Sequence, residues 1–145
     1  MKIKTTIIVN ILVTSLFIFL ISLLLFNNKR EIASWNLATE GNSLSSIDLY
    51  RSQYPNGIFT KSANHKLDEL TWKESKISNS IRSYQNYKNR YSNGEFITKA
   101  NSIIEEIIWE NAISLESYPL IMQYTVKYPN GKHIDKAKNF IKVHS

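Results

Sequence analysis

From Ile7 to Phe26 the chain runs 20 residues without a charge, interrupted only by Asn10, Thr14, Ser15 and Ser22. No polar stripe divides that run into faces. Twenty helical residues span about 30 Å, the thickness of a bilayer's hydrocarbon core. The pattern therefore predicts a membrane anchor over residues 1–28. The rivals are a cleaved signal peptide, whose apolar region is about 7–15 residues, and a buried core helix, which would be shorter. The run ends in Leu23-Leu24-Leu25-Phe26, which a signal peptidase disfavours. Past residue 28 the apolar positions become periodic. Leu44, Ile47, Tyr50 and Tyr54 step by 3, 3 and 4, as do Ile81, Tyr84, Tyr87 and Tyr91, then Tyr118, Ile121, Tyr124 and Tyr128. Such steps draw one buried stripe down a helix.

Those stripes are copies of one another. Trp35, Trp72 and Trp109 are spaced 37 and 37. The same interval separates Tyr54, Tyr91 and Tyr128, then Gly57, Gly94 and Gly131, then Ala63, Ala100 and Ala137. Tyr50, Tyr87 and Tyr124 keep it, as do Ser43, Ser80 and Ser117. Self-similarity at a fixed period of this size is the signature of a repeat architecture. The expected fold class is all-α: a transmembrane helix, then three 37-residue αα-hairpin repeats over residues 29–145.

Within each repeat the first helix should begin near Asn42-Ser43, Asn79-Ser80 or Ser117, because Asn and Ser accept the free N–H groups of a first helical turn. It should stop at Tyr54-Pro55-Asn56-Gly57, Tyr91-Ser92-Asn93-Gly94 and Tyr128-Pro129-Asn130-Gly131. Proline pushes its predecessor out of the helical region, and glycine is expected to supply a left-handed closing residue. A second helix follows at about 59–77, with a stripe of Phe59, Ala63, Leu67 and Leu70 and its copy Phe96, Ala100, Ile104 and Ile107. The Trp column lies off that stripe and should face the next repeat. Trp35 then belongs to the tail of a second-type helix that continues the anchor. The last repeat departs from the others. His133 replaces Phe59 and Phe96, and His144 replaces Leu70 and Ile107. Lys132, Lys136, Lys138 and Lys142 suggest a solvated terminal cap.

The turn residues resemble those of tetratricopeptide-like helical hairpins, in the variant found in outer-membrane assembly lipoproteins and Tol-Pal-associated periplasmic proteins of bacterial envelopes. There a Tyr-Pro-x-Gly/Ser turn precedes an aromatic residue and then an alanine. Tyr54, Pro55, Gly57, Phe59 and Ala63 match, as do Tyr128, Pro129, Gly131 and Ala137. Ser92 replaces the proline in the second copy and His133 the aromatic in the third. The period is 37 rather than 34, and no lipidated cysteine is present. The resemblance implies a protein-binding scaffold.

Composition narrows the chemistry further. The absence of cysteine removes disulfides, thiolate zinc sites and a cysteine nucleophile. His65, His133 and His144 are too scattered for metal ligands at helical spacing. No cofactor motif occurs. The pairs Asp68-Glu69 and Glu105-Glu106 occupy equal repeat positions and read as a solvated helix face rather than an acid–base pair, since no nucleophile or phosphate loop accompanies them. The eight tyrosines read as packing residues of the first helices. Residues 27–145 carry 16 basic and 12 acidic residues, an excess of only 4, and the lack of a continuous basic face argues against nucleic acid. Arg82, Lys88 and Arg90, with Lys127 in the next copy, have no acid in their own helices, and are the candidate contacts for an acidic protein partner. Lys2 and Lys4 balance Lys29 and Arg30 across the apolar run, so orientation is close to a tie. The short basic leader favours an inner-membrane protein with its repeats outside the cytoplasm. The expected function is a non-enzymatic, membrane-anchored scaffold for a protein partner. The alternative is a spacer or self-association module, and homo-oligomers are compatible with either.

Overall fold

The computed structural model describes residues 2–144, and of residues 2–6, 8 and 9 the backbone alone. Among the described residues the chain is all-helical, with seven helices and no strand. They are α1 (Lys2–Gly41), α2 (Leu44–Gln53), α3 (Thr60–Ser78), α4 (Ile81–Arg90), α5 (Ile97–Ser114), α6 (Tyr118–Lys127) and α7 (Ile134–His144). Two compact units form, residues 1–67 and residues 68–145, and they divide inside α3.

Helix α1 is long and apolar enough to cross a membrane, with a mean hydropathy of 2.2 in its most apolar window. Every apolar side chain from Ile11 to Phe26 is exposed, and the least exposed, Ile21, still shows 42 % of its surface. The side chains of Ile8 and Val9, and of Lys2 and Lys4 on which orientation turns, lie outside the described residues. No glycine or proline interrupts residues 27–40, so the helix continues to Gly41. The expected boundary at residues 28 and 29 thus falls within one unbroken helix, and the Trp35 stretch continues the apolar segment, as expected.

In the first unit α1 packs on α2, and Ala38, Ile47, Tyr50, Ala63 and Leu67 are buried. Trp35 stacks on Phe59 with ring centroids 5.3 Å apart and planes at 7°. It meets Tyr50 edge-on at 5.0 Å. In the second unit α4 packs on α5, α5 on α6, and α6 on α7. Trp72 is buried with Tyr84, Tyr87, Ala100 and Ile104 and stacks on Phe96 at 5.1 Å and 5°. Trp109 is buried with Ala112, Ile121, Tyr124 and Ala137 and stacks on His133 at 5.0 Å and 8°. Each tryptophan therefore packs against residues that follow it, in the short helix and at the entry of the next long one. His133 is a stacked, buried aromatic rather than part of a solvated cap. Its ring supplies the flat face that Phe59 and Phe96 supply elsewhere.

The caps differ from expectation in three ways. Ser43 and Ser80 do cap α2 and α4, each through a reciprocal capping box with Ser46 or Ser83 at 3.1–3.2 Å. Ser46 and Ser83 also donate to the Ala38 and Ser75 carbonyls of the preceding helices. Ser117, however, makes no side-chain cap bond, and Leu120, where Ser46 and Ser83 stand, has no hydroxyl to reciprocate. Asn42 and Asn79 are not caps of the following helices. Both have a φ of 41° and terminate the preceding ones, a conformation asparagine tolerates. Glu116 is held at φ 45° in the third copy, where its branched-free but longer side chain gives no such local compensation. Finally, Gly57, Gly94 and Gly131 do not adopt positive φ, and the reason for glycine there is space. Tyr118, expected on a buried stripe, is 36 % exposed. It opens α6, as the smaller and half-buried Leu44 and Ile81 open α2 and α4.

Two outcomes follow for stability. Trp72→Ala should cost about 3–5 kcal/mol in denaturant unfolding of the detergent-solubilised chain, the range for a buried aromatic. A loss under about 1 kcal/mol would mean the indole is not packed. Glu116→Asn should raise stability by about 0.5–1 kcal/mol, part of the roughly 1–2 kcal/mol that left-handed backbone costs other side chains. A lower melting temperature would contradict it.

Candidate functional site

Three joints, the first buried and the other two half-buried, organise the polar groups. Glu31 of α1 accepts a hydrogen bond from the Tyr50 hydroxyl of α2 at 2.6 Å. That hydroxyl in turn accepts from the Phe59 N–H at the entry to α3, at 3.2 Å. Asp68 of α3 accepts from the Tyr87 hydroxyl, which accepts from the Phe96 N–H at 3.1 Å. Glu105 of α5 accepts from the Tyr124 hydroxyl at 2.6 Å, and that hydroxyl accepts from the His133 N–H at 3.0 Å. Asp68 also accepts from the Glu95 N–H and Glu105 from the Lys132 N–H. One carboxylate and one hydroxyl thus tie a long helix, a short helix and the start of the next long helix together.

Glycine belongs to the same joint. A Cβ on Gly57 would collide with the Glu31 carboxylate and lie 2.8 Å from the Tyr54 Cβ. On Gly94 it would lie 2.5 Å from the Tyr87 hydroxyl, and on Gly131 2.5 Å from the Glu105 carboxylate. These partners are hydrogen-bonded, so making room for a Cβ would disturb the joint.

The sequence reading of Asp68-Glu69 and Glu105-Glu106 as a solvated face is therefore corrected. Asp68 and Glu105 are half-buried and bonded, and Glu31, which that reading missed, is only 7 % exposed. The signal was present: 31, 68 and 105 share the 37-residue interval, each four residues before a tryptophan of the Trp column. Burial, and next the hydrogen bond to Glu31, raise the Tyr50 pKa from its usual 10 to about 12. Burial and Glu105 do the same for Tyr124, and burial and Asp68 push Tyr87 upward too. Each phenol is thus a fixed donor at neutral pH, suited to holding a joint closed.

Of the four candidate partner residues, Arg90 and Lys127 each line a recess. Arg90 lines a recess of 280 Å³ between α3 and α4, with Thr71, Glu74, Ser75, Ser83 and Asn86. Lys127 lines the equivalent recess between α5 and α6, of 370 Å³. There Ile108, Leu115 and Leu120 replace Thr71, Ser78 and Ser83, so the second recess has an apolar floor. The Arg90 guanidinium lies 5.7 Å from the Tyr91 ring centre and the Lys127 ammonium 5.6 Å from that of Tyr128. Arg82 is exposed at the start of α4, and Lys88 is half-buried. Lys88 and Arg90 are two residues apart on a helix and do not share a face. Elsewhere, Glu106 holds Lys132 at 2.8 Å and His133 at 2.9 Å, and its carboxyl is held below the usual range by these two partners, Lys132 first. Among the described residues no group of three or more metal-ligating side chains converges.

The raised phenols fix the sign of an alkaline transition. The folded chain keeps protons that the unfolded chain releases above pH 10, so the contribution is complete below pH 10 and lost as pH rises toward about 12. Tyr87→Phe should cost about 1–3 kcal/mol at neutral pH, because it leaves Asp68 with the Glu95 N–H but without its phenol donor and leaves the Phe96 N–H without its acceptor. It should also make the fall in stability between pH 10 and 12 shallower. An unchanged alkaline slope in urea titrations would contradict the joint. In comparisons with known proteins, no family model, curated protein or solved structure matches the chain.

Proposed function

We propose that the chain is a membrane-anchored helical-repeat scaffold of tetratricopeptide-like type, which holds a protein partner at a bacterial envelope. In this reading α1 crosses the inner membrane once, the basic leader stays inside, and the three hairpin repeats stand outside the cytoplasm. The observation that carries it is the continuity of α1: an apolar helix leads without a break into a helix whose far end is packed by the first hairpin. The recurrence of the Trp–Tyr–aromatic contact and of the carboxylate–tyrosine joint at 37-residue intervals supports the repeat reading. The Tyr50, Tyr84, Tyr87 and Tyr124 hydroxyls donate hydrogen bonds within the fold, and in this reading the chain is not an enzyme.

The recess between α5 and α6 suits the apolar face of a helical segment, with Lys127 at its edge for an acidic side chain. Arg90 offers the same charge at the neighbouring recess. The second reading, self-association, is favoured by one observation. Tyr118, Met122 and Val126 leave an exposed apolar stripe on α6, where α4 carries Gln85 and Asn89 at the two later positions and α2 carries Asp48 and Ser52.

Crosslinking in the native membrane, followed by detergent extraction and purification, separates the readings. The chain should resist extraction by high salt or alkali and yield to detergent. Arg90→Glu with Lys127→Glu should abolish co-purification of the partner while stability stays within about 1 kcal/mol, as for surface changes generally. Retained partner in that variant would overturn the groove. A dimer that Val126→Glu dissociates would favour self-association instead.

A further inference from the structure

The first joint sets the height of a turn above the membrane. Glu31 lies five residues past Phe26, about 7.5 Å along the helix axis. Tyr50 and the Phe59 N–H are bonded to it, and Gly57 lies against its carboxylate. Gln53 and Tyr54 border a 540 Å³ polar recess with Asn27 and Arg30, lower still on α1, and Ser34 bonds Gln53. The α2–α3 turn is thus level with the residues that directly follow the apolar run. The polar interface of a bilayer extends about 5–8 Å beyond the hydrocarbon on each side.

The turn's composition changes at the same place. Ile58 is 62 % exposed, and Pro55 and Asn56 are exposed beside it. At the equivalent positions the other two turns carry Glu95 and Lys132. An isoleucine stands where water-facing charge stands in the other copies, and it does so in the one turn pinned next to the end of the apolar helix. Tyr54 and Arg30, which border the recess, are residue types that settle at bilayer interfaces and bind lipid phosphate.

We propose that the turn at residues 54–58 is a second membrane contact, seated in the headgroup layer of the bilayer that holds α1, with Ile58 inserted and Arg30 facing lipid phosphates. The proposal rests on the anchor reading. It fixes which end of the first hairpin faces lipid: α2 descends to the surface and α3 leaves it. The unbroken helix and the seated turn together restrict rocking of residues 29–67 on the anchor.

The chain has no cysteine, so single probes can be placed freely. Leu24→Cys, Asn56→Cys and Ser45→Cys would each carry an environment-sensitive fluorophore. The full chain would be reconstituted in phosphatidylcholine–phosphatidylglycerol vesicles containing lipid spin-labelled high on the acyl chain. Quenching is expected at Leu24 and at Asn56, and not at Ser45, which adjoins the far end of α1. Adding Ile58→Glu should reduce quenching at Asn56 several-fold and leave Leu24 unchanged. Quenching at Leu24 with Asn56 no different from Ser45 would overturn the second contact while the anchor stands. Quenching at Asn56 that survives Ile58→Glu would overturn the insertion of Ile58. An unquenched Leu24 would remove the anchor and the contact together.

Discussion

A carboxylate facing a tyrosine hydroxyl at each helix corner is the constraint from which the other features follow. A carboxylate withdrawn even partly from water needs hydrogen-bond donors in its place. Glu31, Asp68 and Glu105 meet that need with a phenol donor, and Asp68 and Glu105 add a backbone N–H. Because the phenol oxygen also accepts from the first residue after each turn, the bond dictates where the next long helix starts. Glycine is then required where the turn passes the carboxylate. The tryptophan stack closes the apolar side of the same corner, with its ring parallel to the residue whose N–H the tyrosine accepts.

The first joint differs from the others in its setting, since its carboxylate belongs to α1. The helix that carries the apolar run also supplies the acid that fastens the first hairpin. No flexible linker intervenes. A linker of glycine or serine would let a folded domain wander on its tether, whereas a continuous helix passes the tilt of the apolar segment to whatever it packs against. Helix α1 therefore serves both as the membrane-crossing candidate and as the opening member of the first packed corner.

The third corner keeps the joint and relaxes its surroundings. His133 stands in for phenylalanine without loss of the stack, because an imidazole presents a flat face and its Nε2 reaches Glu106. The serine capping box is lost at α6, left-handed backbone falls on Glu116, and the recess beside Lys127 turns apolar. These departures fall together on the helix that also exposes Met122 and Val126. The core contacts are shared among the copies, and the surface is where the copies diverge.

The helices and the apolar run were legible because both rest on local spacing: an uncharged stretch of 20 residues, and stripes with helical steps. The Trp column's partners were legible too, since a large ring off the stripe of its own helix has to be buried by what comes next. The 37-residue interval marked which residues belong together without saying what they do. Glycine at 57, 94 and 131 looked like a left-handed stop, and is instead a clearance for the joint's carboxylate, 26 positions earlier, or for its tyrosine hydroxyl. Asp68 and Glu105 looked like surface charge, because sequence alone does not show that a tyrosine 19 residues on returns beside them. The separation of Arg82, Lys88, Arg90 and Lys127 into different settings likewise depends on which helix faces which. Periodicity along the chain decides the elements; contacts between residues distant in sequence exist only after the helices pack, and those contacts decide whether a charge, a glycine or an exposed isoleucine is structural or free to meet a partner.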